Sequence, residues 1–435
     1  QQNWTPPPRR GFLSSRSAVA EFGGGAPCAL VGERINPTGK KQYTEELRSG
    51  KTAYIRREAT AQVAAGAVLL DVNCGAPGVD EAVALERAVY AASGASPAPL
   101  VIDSSDPTAL EKALKAADGK VLINSVNGEA KSLANVLPLA RRYGAAVIGL
   151  ALDEDGIPDT AEGRVAVASR IHEAVLAAGL PEQDLVIDCL TLTVSAEQKR
   201  ALETLRTLRM VRDQLGLATA LGVSNISFGL PSRPILSSVF FAMALEAGLN
   251  VAIINPKDQR MMDAYRSAMV LLGYDLRAES YITNYADQAA PMPAADTQDD
   301  TKPGLCHRLS SAIVDGDSEG IVALVEQALQ EGMDAMAVSN QGLLPGLEEV
   351  GRRFADHRIF LPQVMQSAET MQSAFAHLKK IMAGQTGPSR GRILMATVEG
   401  DIHDIGKNIV CTLLENYGFD VIDLGKNVPA ARILE

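Results

Sequence analysis

Near the C-terminal end of the chain a histidine stands between two carboxylates, in Asp401-Ile402-His403-Asp404-Ile405-Gly406-Lys407-Asn408. An imidazole ligates a metal through one ring nitrogen. A carboxylate that accepts the proton on the other nitrogen fixes the tautomer and raises ligand basicity. A second polar set recurs through the first 285 residues, each member closing a short apolar run: Glu33, Asp71 with Asn73, Asp103, Asn124, Asp153, Asp188, Asn225 and Asn255. These are carboxylates and amides, with no His or Cys among them. A carboxylate accepts from adjacent ring N–H groups and an amide both donates and accepts, so the set suits a neutral, hydrogen-bonding heterocycle better than a metal or a phosphate. Taken singly, such an Asp or Asn is as readily a residue that starts a loop, and a lone loop His a surface residue. Recurrence at every run argues for a site.

The elements that must position these groups follow from the apolar periodicity. His403 comes after the run Arg392 to Val398, which reads as a strand, and before Ile409 to Tyr417, which reads as a helix closed by Gly418. It therefore falls on a strand-to-helix loop, where an open α/β sheet places its ligands. Upstream, apolar runs recur at Cys28–Gly32, Val68–Val72, Leu100–Ile102, Val121–Ile123, Ala146–Leu152, Leu185–Ile187, Ala218–Val223 and Val251–Ile254. Helical patterns such as Thr52–Ala65 and Ala82–Ala92 lie between them, with Gly or Pro at many junctions. Eight strands alternating with helices at near-even spacing predict a closed (β/α)8 TIM barrel rather than a doubly wound sheet, with the strand-end residues gathered at one mouth.

Asp287 to Pro303 reads as a flexible linker, and the helical period then runs from Leu305 to about Gly384 in four segments, enough for a four-helix bundle. From about Pro388 the pattern is that of a flavodoxin-like Rossmann unit, incomplete by about three strands relative to such a fold. The expected divisions are a lead-in over 1–25, the barrel over 26–285, a linker over 286–303, the helical unit over 304–387 and the α/β unit over 388–435.

The composition bounds the partners. Lys plus Arg number 41 against 52 Asp plus Glu, a net charge of −11 that disfavours nucleic acid. No window approaches the ~18 uninterrupted apolar residues of a membrane span, and the N-terminus lacks a signal-peptide core. Five scattered cysteines, with no Cys-x-x-Cys pair, argue against a zinc site or a disulfide framework and fit a reducing cytoplasm.

The string Asp-x-His-Asp-x-Gly-Lys-Asn resembles the corrinoid-binding signature of cobalamin-dependent methionine synthases and their methyltransferase relatives. The resemblance implies that His403 is the axial cobalt ligand, Asp401 its orienting partner, and Gly400, Ile402 and Asp404 the rest of the loop around the corrin. The strings Val31-Gly32-Glu33-Arg34-Ile35-Asn36-Pro37-Thr38-Gly39, Ile102-Asp103-Ser104, Ile123-Asn124-Ser125, Ile187-Asp188 and Gly222-Val223-Ser224-Asn225-Ile226-Ser227 are similar to the pterin-binding barrel of methyltetrahydrofolate methyltransferases. That similarity implies that Asp103, Asn124 and Asp188 hold the pterin, Asn225 bonds near the methyl-bearing nitrogen, and Arg233 lies beside the pocket. Lys40-Lys41-Gln42 would border the folate, its lysines meeting the glutamate tail. The stretch from Arg353 to Gln363, with Ser367-Ala368-Glu369, resembles the cap over methylcobalamin, with Phe354 and Leu361 touching it. An apolar lid would keep water and oxidant from cobalt(I). The chain departs from that cap at Asn340-Gln341, where relatives carry an acid before the Pro-Gly turn.

The activity implied is methyl transfer from 5-methyltetrahydrofolate to enzyme-bound cob(I)alamin within methionine synthesis from homocysteine. Asn225 would stabilise the protonated folate nitrogen and Asp103 relay a proton through water. Zinc is expected only on a homocysteine domain outside this sequence, to which the Pro-rich Thr5 to Arg10 reads as a linker. A reductive-activation domain or flavodoxin-type partner is also expected. Dihydropteroate synthase shares this barrel type, but it would need a site for a pyrophosphate leaving group, and the corrinoid signature counts against it. The alternatives are a methyltetrahydrofolate:corrinoid methyltransferase with another acceptor, and a corrinoid carrier whose barrel is inactive.

Overall fold

The computed structural model describes residues 9–196, 198–285, 304–356, 358–381, 390–399 and 418–435, together with Lys407, Val410, Cys411 and Leu414. The chain divides into two compact units, Gln1–Asp275 and Leu276–Glu435.

The first unit opens with an antiparallel hairpin, β1 (Arg10–Ser14) and β2 (Val19–Gly23). Eight parallel strands follow: β3 (Ala29–Ile35), β4 (Leu69–Asn73), β5 (Leu100–Asp103), β6 (Leu122–Asn127), β7 (Ala146–Leu150), β8 (Leu185–Asp188), β9 (Ala218–Gly222) and β10 (Val251–Ile254). They close in sequence order, β10 pairing with β3, so the expected TIM barrel is observed with all eight strands. Alternation along each strand separates two cores, because successive side chains in a strand point to opposite faces. Leu30, Leu70, Ile102, Ile123, Val147, Ile187, Leu221 and Ala252 pack outward with the surrounding helices. Val31, Leu69, Val101, Leu122, Ile148, Val186, Ala220 and Val251 fill the barrel interior. Two residues further on, the same inward alternation delivers Asp71, Asp103, Asn124 and Asp188 to the C-terminal mouth.

The hairpin replaces the unstructured lead-in expected over 1–25. Leu13, Ala20 and Phe22 belong to the same buried cluster as the barrel interior, so the hairpin plugs the floor opposite the mouth. Ser14 fixes it there, its N–H donating to the Lys120 carbonyl at 2.9 Å and its Oγ accepting from the Lys120 N–H at 3.0 Å. Gly11 is required at its place: a Cβ there would come within 2.2 Å of the Phe22 ring.

In the second unit, helices Leu305–Asp315, Gly320–Gln330, Leu344–Ala355 and Leu361–Ile381 bury Leu309, Ile313, Val325, Leu347, Val350, Met371 and Leu378 in one core. The third helical stretch differs from a regular helix, entering through the short turn Ala335–Ala337 and a π-helical segment, Val338–Leu343. Pro345 follows in the first turn of Leu344–Ala355, and its missing N–H cannot close the ordinary ladder. Gly342 within that segment lets the helix approach Leu309, whose side chain a Cβ would meet at 2.7 Å. Beyond it, β11 (Arg392–Met395) and β12 (Asp420–Asp423) form a two-stranded parallel sheet. The linker expected over 286–303 lies outside the described residues.

Candidate functional site

The mouth of the barrel is built on one hydrogen-bonded row. Asn73, Asp103 and Asn124 are register partners on β4, β5 and β6, so their side chains stand in a line across adjacent strands. Asn73 Nδ2 donates to Asp103 Oδ2 at 2.9 Å, and Asn124 Nδ2 donates to Asp71 Oδ1 at 3.2 Å, one layer deeper. On the opposite wall Asp188 closes β8, its Oδ1 accepting from the Leu190 N–H at 2.8 Å. Glu33 completes the ring, accepting from Ser224 Oγ at 3.2 Å.

Among the described residues these acids have no cationic partner at hydrogen-bond distance, and their protonation reflects it. Burial lifts Asp188 to about 6, with the Leu190 N–H and Arg164 opposing the shift. Burial also lifts Asp103 to about 6, against the hydrogen bond from Asn73. Asp71, buried and beside Asp103, is held well above the usual carboxylate range, first by desolvation and then by its neighbour's charge. Desolvation raises Glu33 as well. Strongly perturbed acids gathered at the C-terminal mouth of a barrel make this the candidate binding site.

Asn225 lies just past β9 in the short helix Val223–Ser227, exposed at the rim. Its amide overlies Gly222, where a Cβ would stand 2.9 Å from Nδ2; glycine leaves that room. Arg233 is also at the rim. It donates to the Ser224 carbonyl at 2.8 Å and to Ser227 Oγ at 3.2 Å, with its guanidinium 5.6 Å from the centre of the Phe228 ring. Arg233 thereby braces the segment that carries Asn225.

The three-residue loop expected to meet a glutamate tail is divided in its roles. Lys40 turns its ammonium inward to the carbonyls of Arg34 and Asn36, at 3.0 and 2.8 Å, and its pKa falls to about 8, mainly through burial. Lys41 is exposed, and Gln42 donates to Glu46 at 3.3 Å. Two of the strand-end residues do not join the mouth. Asp153 lies three residues beyond β7 and its carboxylate pairs with Arg170. Asn255 starts a turn by accepting from the Lys257 N–H at 3.3 Å. Ser104, in the Ile102-Asp103-Ser104 string, donates to Glu81, which the sequence did not mark because it opens a helix like any N-terminal acid.

In the second unit the loop residues Gly400, Asp401, Ile402, His403 and Asp404 lie outside the described residues. Both sides of that loop are visible. Thr397, after β11, is buried and its hydroxyl has no hydrogen-bonding partner among the described residues. Lys407, from the other end of the motif, pairs with Asp423 at the end of β12. Phe354 ends its helix 45% exposed, an apolar ring open for contact, while Leu361 opens the next helix.

The pterin binding enzyme family matches residues 32–255, and two B12 binding domain families match residues 305–379 and 391–435. The chain is 33% identical to the methionine synthase of Mycobacterium tuberculosis over 97% of its own length and 38% of that protein's. It is also 33% identical to the methionine synthase of Mycobacterium leprae, over 97% of the chain and 37% of that protein. The chain thus spans well under half the length of these curated relatives. Among solved structures, a methanol:cobalamin methyltransferase complex from Methanosarcina barkeri is 36% identical over 31% of this chain and 52% of that one, with a TM-score of 0.28.

Proposed function

This chain belongs to the pterin-binding enzyme family, and from that premise we propose that it transfers the methyl group of 5-methyltetrahydrofolate to cob(I)alamin held by its own C-terminal modules. The observation that carries the reading is the row of Asn73, Asp103 and Asn124, faced by Asp188, at the mouth of a barrel in a chain that also matches B12 binding domains. Acids and amides of this kind complement the alternating N–H and C=O edge of a pterin. Asp103, Asn124 and Asp188 bind the ring, and Asn225 lies near the methyl-bearing nitrogen. That nitrogen is a tertiary amine and leaves poorly until protonated. Asn225 accepts from the protonated form and Asp103, raised to about 6, passes a proton through water. Arg233 borders the pocket, and of Lys40, Lys41 and Gln42 it is Lys41 that is free to meet a glutamate tail.

The residues present fit cobalamin: the buried, unpartnered Thr397 hydroxyl at the strand end before the motif offers a polar contact, and the exposed Phe354 offers an apolar cover. When bound, the corrinoid supplies a cobalt(I) nucleophile for the methyl group. His403 would ligate the cobalt with Asp401 as proton acceptor, Gly400, Ile402 and Asp404 would line the corrin, and Phe354 and Leu361 would exclude water from it. We further propose homocysteine, carried by another domain or chain with its own zinc, as final acceptor, and a reductive-activation domain or flavodoxin-type partner. No helix among the described residues is long and apolar enough to cross a membrane; a cytoplasmic location belongs to the same proposal.

The test compares the purified chain with Asn225→Ala, each given cob(I)alamin and methyltetrahydrofolate. The wild type is expected to convert the cob(I)alamin band with a rate lost by about 100-fold or more in the variant, the magnitude of removing one preorganised hydrogen-bonding group. No conversion by the wild type would leave a carrier with an inactive barrel, and equal measurable rates would remove Asn225 from the reaction.

A further inference from the structure

Arg164 is fully buried, among the largest of the side chains so enclosed, and forms no ion pair with a carboxylate among the described residues. It stands on the helix Ala161–Ala177, which leads to β8 through the short turn Glu182–Asp184. Its bonds go elsewhere. Nε donates to the Pro158 carbonyl at 3.0 Å, and Nη1 to the carbonyls of Cys189 and Leu190, each at 3.0 Å, and to Thr204 Oγ1 at 3.1 Å. Thr204 also lies 3.0 Å from the Leu190 carbonyl. Two elements therefore grip the two residues that follow Asp188.

That grip coincides with an unfavourable backbone. Leu190 has a φ of 61°, in the left-handed region that a branched hydrophobic residue adopts only when its surroundings impose it. The Cys189 carbonyl that Arg164 holds shares a planar peptide unit with the Leu190 N–H, so fixing the one aims the other, which donates to Asp188 Oδ1 at 2.8 Å. A guanidinium donates in a fixed planar fork, so two carbonyls taken by one nitrogen are held in a defined mutual orientation. An aliphatic side chain of equal volume could fill the space but could not hold the turn.

We infer that Arg164 is a positioning residue of the folate pocket: its clamp on the Cys189 and Leu190 carbonyls holds the Leu190 turn that aims the Asp188 carboxylate into the barrel mouth. The inference rests on the folate reading for its consequence but not for the clamp itself, and the experiment separates the two. Hydrogen exchange of the segment carrying Leu190 is measured without ligand for the wild-type chain, Arg164→Met and Arg164→Lys. Methyltetrahydrofolate Kd is then measured for these, for Asp188→Asn and for the double variant. The Leu190 amide should exchange at least tenfold faster in Arg164→Met. Kd should rise about tenfold in Arg164→Met and less in Arg164→Lys, which keeps a donor; the double variant should bind no more weakly than Asp188→Asn alone, because the two act on one contact. Unchanged exchange in Arg164→Met overturns the clamp, whether or not folate binds. Faster exchange with an unchanged or strictly additive Kd overturns the positioning role. Failure of the wild type to bind folate is a failure of the pocket reading alone. Should Arg164→Met not fold, Thr204→Val, which removes one side of the same grip, is read by the same two measurements, with the same outcomes deciding.

Discussion

Asp188→Asn separates binding from stability with opposite signs. The Asp188 carboxyl is buried and lifted to about 6 from an ordinary 3.8, chiefly by desolvation. The difference is about 2 units, and at ~1.4 kcal/mol per unit the ionised carboxylate costs the folded barrel about 3 kcal/mol at pH 7.5. The sign follows from linkage: an acid whose folded pKa is raised is best tolerated when protonated, so stability falls as pH rises from about 4 through about 6 and stays low above it. Asn keeps an oxygen to accept from the Leu190 N–H and carries no charge. Asp188→Asn should therefore raise the thermal midpoint at pH 7.5 by roughly 5–10 °C, at about 2–4 °C per kcal/mol. The gain should shrink to about 0.5 kcal/mol near pH 4. The same variant should lose methyltetrahydrofolate affinity by about 10-fold to 100-fold, the cost of leaving a ligand N–H without its charged acceptor. Differential scanning fluorimetry across pH 4–8 and a folate titration at pH 7.5 measure both. A variant less stable than wild type at pH 7.5, or a gain independent of pH, would refute the reasoning that this carboxylate is an uncompensated charge kept for a ligand.

Other outcomes follow from the same geometry. Because Asp103 and Asp188 are both raised to about 6 and are to accept from the pterin when ionised, folate Kd should be flat between pH 7 and 8 and rise below about 6; a flat titration down to pH 5 would count against both roles. Phe22→Ala, which empties the hairpin plug in the barrel floor, should cost about 3–5 kcal/mol of barrel stability in denaturant melts while leaving folate affinity of the folded protein unchanged. Arg233→Ala, which releases the carbonyl of Ser224 and the hydroxyl of Ser227, should slow methyl transfer with little change in thermal midpoint, since the side chain is exposed. His403→Ala should alter the visible spectrum of bound cobalamin to that of a form without imidazole, and an unchanged spectrum would remove His403 from the cobalt.

The barrel was legible because parallel strands buried on both faces read as continuous apolar runs, and each run ended in a polar residue. The inward alternation then made Asp103, Asn124 and Asp188 neighbours of one mouth without further information. The same rule over-reached at Asp153 and Asn255, whose side chains are taken up locally, by the Arg170 guanidinium and by the Lys257 N–H of the following turn. The β1–β2 hairpin was hidden because Phe12 and Val19, apolar but exposed, sit beside the buried Leu13, Ala20 and Phe22 and blur the alternation; only the barrel floor gives the buried set a core. The inward turn of Lys40 and the clamp of Arg164 depend on carbonyls brought near by folding, which no spacing in the chain encodes. The bundle's helices were legible from period, but its π-helical segment arises from Pro345 meeting a helix already packed through Gly342.

The measurement that bears most directly on the central claim is a visible spectrum of the wild-type chain with cob(I)alamin and an excess of 5-methyltetrahydrofolate, followed anaerobically in the dark. The account predicts that the cob(I)alamin band decays with matching growth of methylated cobalamin and of tetrahydrofolate. A cob(I)alamin band that persists while folate is demonstrably bound would contradict it.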